Sequence, residues 1–367
     1  MAVSRINEAG LNVNQYGNRN LIINGAMQVA QRATSATTVS GSGVYDTIDR
    51  LKLWEDSDGA YTSEQSSTAP DGFATSVKFQ VTTADTSLSS AQYACVAQII
   101  EAQNLQQLAY GTNAAKDITV SFYVRSNKTG TYCLCVEKND STRYLFVKEF
   151  TIDTADTWER KIITVPPDSN IKASGGAIAN NNGDGFRVFI FLASGSSYHG
   201  TNNVWNTNTS YFTTSNQVNW LDSTSNNFYL TGMQLEVGDT ATDFEHRTFG
   251  DELARCQRYF CRTYTYGTAT GTATANGCVS GPVFAAITYS SPGTFRFPVE
   301  MRSAPTVQVY STQNADTTGK VTADAADGTA GTAFTGTAST FIYRNNDSTG
   351  VVANAFLKAQ ATADAEL

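Results

Sequence analysis

The sequence predicts a mainly β protein: a jelly-roll-like antiparallel β-sandwich, then a short linking helix and a second, smaller β-sandwich. Three observations carry this. Side-chain character alternates with a period of two along most of the chain, the apolar positions are rich in β-branched and aromatic residues, and Gly, Asn, Asp and Pro gather between the alternating runs. The length of 367 residues exceeds what one core of about 250 to 300 residues supports, so at least two domains are expected.

Residues 1–45 fit neither sandwich. "NLIINGAMQVAQRATSATTVSGSG" offers one apolar stretch followed by a Ser/Thr/Gly linker. It reads either as an attachment segment or as the first strand of the large sandwich. Within residues 46–247, "SVKFQVTT", "DITVSFYVRS", "GTYCLCVEK", "RYLFVKEFTI", "WERKIITVP", "FRVFIFLAS" and "FYLTGMQLEVG" read as strands, and that many at this spacing suggest a sandwich. "AQIIEAQNLQQLAYG" is helical by propensity, or else a strand followed by a short helical turn.

The pattern changes after Gly238. Thr248 and Asp251 have the spacing of a capping box, Asp251 and Glu252 fall in a first turn, and Arg255, Arg258 and Arg262 fall toward a last, which complements the helix dipole at both ends. Leu253, Cys256, Phe260 and Tyr259 then give an apolar face over 248–262. So short a helix is marginal alone and must pack on something. With Phe244 and His246 these residues are the expected interdomain or assembly contacts. From 263 to 367, "TYTYGTATGTATANGCVSG", "VFAAITYS", "TFRFPVEM", "TVQVYST", "TAFTGTAST" and "STFIYRNN" read as lighter strands, closing with "NAFLKAQATADAEL".

Composition narrows the function classes. Apolar residues at 41% exclude general disorder, while 16% charged residues leave solubility to Ser, Thr and Asn. A net charge of −8 argues against nucleic acid and anionic membranes, because neutralising phosphates takes clustered Lys and Arg. No apolar run approaches the roughly 20 residues of a membrane span. The start "MAVSRINEAGLNVNQYGNRN" has no signal-peptide apolar region, so export by the usual route is not expected. Cys133 and Cys135 share a strand face and are poorly placed to bond each other; with Cys95, Cys256, Cys261 and Cys278 they read as buried thiols made in a reducing cytoplasm.

Few residues suggest chemistry. His246 lies between Glu245 and Arg247 with no nucleophile motif beside it, so a junction role is expected. His199 lies in a polar loop. Neither histidine nor cysteine spacing suits zinc. "NNNGDG", with Asn182 and Asp184, offers oxygen ligands for calcium but reads better as a tight hairpin. Asp46 and Asp49 are candidates for a glycosidase pair, yet Asp49 beside Arg50 reads as readily as a structural ion pair. No cofactor is expected. "GSSYHGTNNVWNTNTSYFTTSNQVNWLD", residues 195–222, carries the strongest signal. Its Asn, Thr and Ser match sugar hydroxyls, while Tyr198, Trp205, Tyr211 and Phe212, with His199 among them, offer faces for a pyranose ring. The same composition serves an ordinary sandwich loop or an inter-subunit contact.

The blocks "NRNLIINGAMQVAQRATS", "NQVNWLDSTSNNFYLTGMQLEVGDTATDFEHRTFGDELARCQRYF", "FPVEMRSAPTV" and "ADAEL" resemble tail-fibre and related virion proteins of tailed bacteriophages. "LTGMQLEVG…FEHR…ELARCQRYF" is the most specific of them. Relatives often carry Asp-Arg-Trp after the first block; here Asp49-Arg50-Leu51 stands with Trp54 displaced, and no role is carried over. Between 60 and 200 only a generic carbohydrate-binding jelly-roll pattern is familiar. The resemblance implies a non-enzymatic, surface-displayed virion component made in host cytoplasm. It also implies a homotrimer, held to other virion proteins by its N-terminal segment and contacting host-surface polysaccharide. A head-decoration, head-fibre or adaptor protein and a polysaccharide depolymerase are the competing readings.

Overall fold

The computed structural model describes residues 18–39, 41–283, 291, 293–315, 318–323, 326–345 and 356–367. They fall into two compact units. One comprises the described residues up to Gln28 with Ser35–Thr248, the other Val29–Thr34 with Phe249–Leu367.

The first unit contains β1 (Thr37–Val39), β2 (Ser42–Val44), β3 (Lys52–Asp56), β4 (Ala60–Ser66), β5 (Ser76–Thr83), β6 (Tyr93–Glu101) and β7 (Ile118–Ser126). These are followed by β8 (Gly130–Lys138), β9 (Tyr144–Ile152), β10 (Glu159–Val165), the one-turn helix α1 (Ser169–Lys172), β11 (Asp184–Ser194), β12 (Val204–Asn206) and β13 (Asn227–Val237). All seven strands read from the sequence are present. A six-stranded sheet runs β1-β4-β5-β13-β7-β10 and a seven-stranded sheet runs β12-β9-β8-β11-β6-β3-β2, with every pairing antiparallel. Ring contacts between the sheets, Phe122 with Phe150 at 5.2 Å and Tyr132 with Phe228 at 5.5 Å, mark the sandwich core.

The ambiguous 97–111 stretch is a strand to Glu101 and then a 3-10 turn, Ala102–Leu108. Asn180 to Gly185 is not a hairpin: β11 pairs with β6 and β8, not with the preceding β10. The stretch instead caps the 3-10 turn, the carbonyls of Gly183 and Asn181 accepting from the Ala102 and Gln103 amides at 2.9 and 2.8 Å. In β13, Gly232 has φ +62° and a Cβ there would stand 2.8 Å from the Phe73 and Tyr123 rings, so both the backbone and the space require glycine.

Residues 20–32 are tied by hydrogen bonds into both units rather than standing free of them. Asn20 donates to the Met233 carbonyl at 3.0 Å and accepts from the Leu235 amide at 3.1 Å, while Gln98 brackets the Ile23 backbone at 2.6 Å from both sides. Arg247 donates to the carbonyls of Ile22, at 3.0 Å, and Asn20. In the second unit, the Ala30 amide donates to the Tyr266 hydroxyl at 3.0 Å, Gln31 to the Phe260 carbonyl at 2.7 Å, and Arg32 stands 3.8 Å from the Phe260 ring centroid.

Helix α2 (Phe249–Gln257) opens the bulk of the second unit. Asp251 and Glu252 are in its first turn and Arg255 in its last, as the charge pattern requires. The helix is shorter than 248–262. The Tyr259 amide turns back to the Cys256 carbonyl at 2.9 Å, so Arg258 lies past its end and Phe260 and Arg262 belong to β14 (Phe260–Arg262). Cys256, Tyr259 and Phe260 are buried, whereas Leu253 is half-buried.

There follow β15 (Val279–Pro282), β16 (Thr294–Arg296), β17 (Thr306–Tyr310), β18 (Lys320–Ala323), β19 (Ala326–Thr335), β20 (Thr340–Asn345) and β21 (Phe356–Asp364). They run β14-β21-β18-β19-β20-β16, with β15 and β17 also paired to β21. Val309, Val321, Phe341, Tyr343 and Leu357 pack at the centre. Residues 264–278, expected as strand, form turns instead, with Gly267, Gly271 and Gly277 at φ +90°, +87° and +80°. Beyond Val283, the expected strand "VFAAITYS" lies outside the described residues.

Candidate functional site

Strands β6, β8 and β11 are buried on both faces. One face meets the other sheet. The opposite face carries a second apolar layer of Cys95, Ala97, Cys133, Cys135, Phe189 and Phe191, with Leu145 and Val147 beside them. Antiparallel register sets this layer in rows. Trp54, Cys95, Phe191, Cys133 and Glu149 lie side by side; Lys52, Ala97, Phe189, Cys135 and Val147 form the next row, and Arg187 with Glu137 the one after. Small thiols and alanines between large rings leave a depression, since close packing needs side-chain volume the small groups lack.

The 195–222 connection covers part of this layer. Gln217 accepts from the Cys133 amide at 2.8 Å and donates to the Phe191 carbonyl at 3.2 Å, while the Ser194 and Thr213 hydroxyls bond at 2.7 Å. The Phe212 amide donates to the Tyr198 carbonyl at 3.0 Å, and the Tyr198 hydroxyl to the Ala91 carbonyl at 2.9 Å. A cleft of about 170 Å³ remains, lined by Trp54, Tyr93, Cys95, Arg143, Arg187, Phe189, Phe191, Tyr198 and Phe212. Its rings interlock: Trp54 with Phe189 at 5.4 Å, Phe189 with Phe212 at 5.6 Å, Tyr198 with Phe212 at 6.1 Å and Tyr93 with Tyr198 at 5.1 Å.

One end of the cleft is basic. Arg143 lies 5.2 Å from the Phe212 ring centroid and gives its Nε–H to Glu137 Oε1. Arg187 gives its Nε–H to Asp184 Oδ2 at 2.5 Å, and its Nη1 stands 3.7 Å from Glu137 Oε2. Burial raises the Glu137 carboxyl above the usual range, although both arginines pull the other way, and the same opposition leaves Asp184 raised. Burial also pushes the floor thiols up, Cys133 to about 11 and Cys95 and Cys135 well above their ordinary value. They stay protonated and unreactive.

Of the five residues read as ring-facing, Tyr198 and Phe212 line the cleft. Trp205 does not: it is buried against Tyr110 and Phe146, and its indole N–H donates to the Pro166 carbonyl at 2.8 Å. Tyr211 packs against Gly200, and His199 forms a bridge with Thr213; both are half-buried beside the cleft. Phe244 and His246 meet each other and Phe73 at 4.9 to 5.2 Å within the first unit. The Asp184 carboxylate is engaged by Arg187 and Asn139, and Asn182 is exposed; among the described residues no three His, Cys, Asp or Glu gather as a metal site. Asp49 is buried and Asp46 half-buried. Trp54, Tyr93, Arg143 and Arg187 were not singled out in the sequence. The available signal was the shared parity of Cys133 and Cys135, which register extends to Cys95 and Trp54.

The first unit is a β-sandwich. No protein-family model matches the chain and no curated protein matches its sequence. Among solved structures it is similar to a putative sugar binding protein from Bacteroides thetaiotaomicron, at 11% identity over 60% of this chain and 100% of that one, TM-score 0.33. The family 11 carbohydrate-binding module from Clostridium thermocellum is 10% identical over 58% and 99% of the two chains, TM-score 0.29. The enzymatically active domain of tailspike protein 4 of bacteriophage CBA120 is 9% identical over 59% of this chain and 21% of that one, TM-score 0.28. Likenesses this distant carry no argument about this chain.

Proposed function

We propose that the cleft binds a glycan, and that the chain is a non-enzymatic tail fibre of a tailed bacteriophage, trimeric and displayed on the virion, where it contacts host-surface polysaccharide. The observation that carries the binding reading is the cleft itself. Half-exposed rings of Trp54, Tyr93, Tyr198 and Phe212 surround it, and partly exposed guanidinium groups stand at one end. A sugar presents C–H faces and hydroxyls, and such a surface offers aromatic faces for the first and N–H donors for the second. The virion assignment rests on the resemblance of "LTGMQLEVG", "FEHR" and "ELARCQRYF". Weak single sites suffice on a particle, where several copies raise avidity by roughly 10² to 10⁴.

The test is binding of the full-length chain, multimerised on beads, to host-surface polysaccharide fractions, beside Trp54→Ala and Phe212→Ala. Retention by the wild type and loss in variants with unchanged circular dichroism supports the reading. Absence of binding to every fraction favours a head-decoration or adaptor role. New reducing ends appearing in the polysaccharide, and lost in Asp46→Asn, would instead establish a depolymerase.

A further inference from the structure

We infer that the basic end of the cleft receives the carboxylate of an acidic sugar, so that the glycan preferred by this site carries hexuronic or related sugar acids rather than neutral rings alone. The inference rests on the glycan-binding reading and adds a charge requirement to it.

Neutralising Glu137 does not account for the two arginines. Arg143 satisfies Oε1, but Arg187 Nη1 stands 3.7 Å from Oε2, beyond hydrogen-bond distance, and Oε2 accepts no hydrogen bond although Glu137 is completely buried. A purely structural pair would have closed that gap, because an unmet buried acceptor is costly. Arg187 is instead drawn to Asp184, which leaves its Nη2 and both terminal nitrogens of Arg143 without a hydrogen-bond partner among the described residues at the cleft wall. Each guanidinium is thus fixed through one edge, and its remaining N–H groups form the planar fork that matches a carboxylate.

Charge along the cleft is polarised. Lys52, 5.3 Å from the Trp54 ring centroid, lies one row from Arg187 on the same face; three cations face Glu137, Asp184 and the completely buried Glu101 opposite Asp184, and burial raises the Glu137 and Asp184 carboxyls toward their neutral forms. Asp56 and Glu149 lie toward the other end, beyond Tyr93 and in the Trp54 row; Glu149 accepts from Thr214 at 2.5 Å and Asn216 at 3.0 Å. An acidic sugar therefore has one favourable orientation, its carboxylate beside Arg143 and Arg187.

The test is an array of hexuronic- and nonulosonic-acid glycans, each printed beside its carboxyl-reduced counterpart and beside neutral glycans, probed with the full-length chain. Supporting results are binding of acid forms, at least about tenfold weaker binding of the reduced forms, and a several-fold loss between about 50 and 500 mM salt. Arg143→Gln and Arg187→Gln are expected to lose about tenfold for the acid form, and Arg143→Lys to recover part of it. Should either glutamine variant melt early, the reduced-glycan and salt comparisons on the wild type still decide. Equal binding of acid and reduced forms, or binding of neutral glycans alone, overturns the inference and leaves glycan binding standing. Failure to bind any glycan overturns both.

Discussion

Replacing Arg247 by Met tests how the stretch around residues 244 to 247 holds the first unit together. Arg247 donates to the carbonyls of Ile22 and Asn20 and stands 3.3 Å from Glu245 Oε2, with only 8% of its side chain exposed. Methionine keeps the stem and removes the fork. Two carbonyls lose charged donors and Glu245 keeps only its backbone partners, such as the Asn20 amide at 2.8 Å. Hydrogen bonds to charged groups contribute about 1.5 to 3 kcal/mol each before relaxation and water entry, so a net loss of about 2 to 4 kcal/mol is expected. For a unit of this size that is a fall in Tm of about 5 to 15 °C. Burial alone would raise the Glu245 carboxyl, but the Asn20 amide and Arg247 hold it below the usual range. A carboxyl lowered by folding adds stability above its unfolded value and loses it as pH falls through the folded value. The gap between wild type and variant is therefore widest near neutral pH and narrows in acid below about pH 4. Calorimetry from pH 3 to 7 measures both effects. A shift under about 1 °C at pH 7, or a gap that widens in acid, would refute the reasoning.

Two further outcomes follow from the packing. Gly232→Ala meets the Phe73 and Tyr123 rings at 2.8 Å on a backbone with φ +62°, and should cost about 2 to 4 kcal/mol; an unchanged urea midpoint would contradict it. Native labelling with iodoacetamide at pH 8 should modify Cys278 first among the six cysteines, because it is half-buried and the other five are buried. Rapid labelling of Cys95 or Cys135, detected by peptide mass, would mean that the cleft floor opens.

The long strands were legible because β5, β7, β8, β9, β10, β11 and β13 are each seven residues or longer, enough for a period of two to show. The first four strands were not, since three-residue β1 and β2 carry no period and β4, "AYTSEQS", is polar. The end of α2 was misplaced because helical spacing continues through Phe260 and Arg262 after the backbone has turned into β14. Trp205 reads like a sugar platform from its neighbours, but its strand, β12, pairs with β9 so that Asn206 and Val204 take the outer face and the indole goes inward. The cleft was illegible for a related reason: Trp54, Tyr93, Arg143 and Arg187 come from four separate stretches, and only lateral register brings them together. What the sequence did offer, Tyr198 and Phe212, lies on the connection that folds over that surface.

Among the described residues, strand β21 pairs with β14, β15, β17 and β18, and all of them precede it. Val29–Thr34 belong to the same unit from the opposite direction, ahead of every strand of the first sandwich. During translation Arg32 must therefore wait for its ion-pair partner Asp364 to be made. At about 5 to 20 residues per second that delay is roughly 15 to 65 s. A chain cut short before β21 is made would carry a finished sandwich joined to an unfolded remainder, which proteases can recognise and remove.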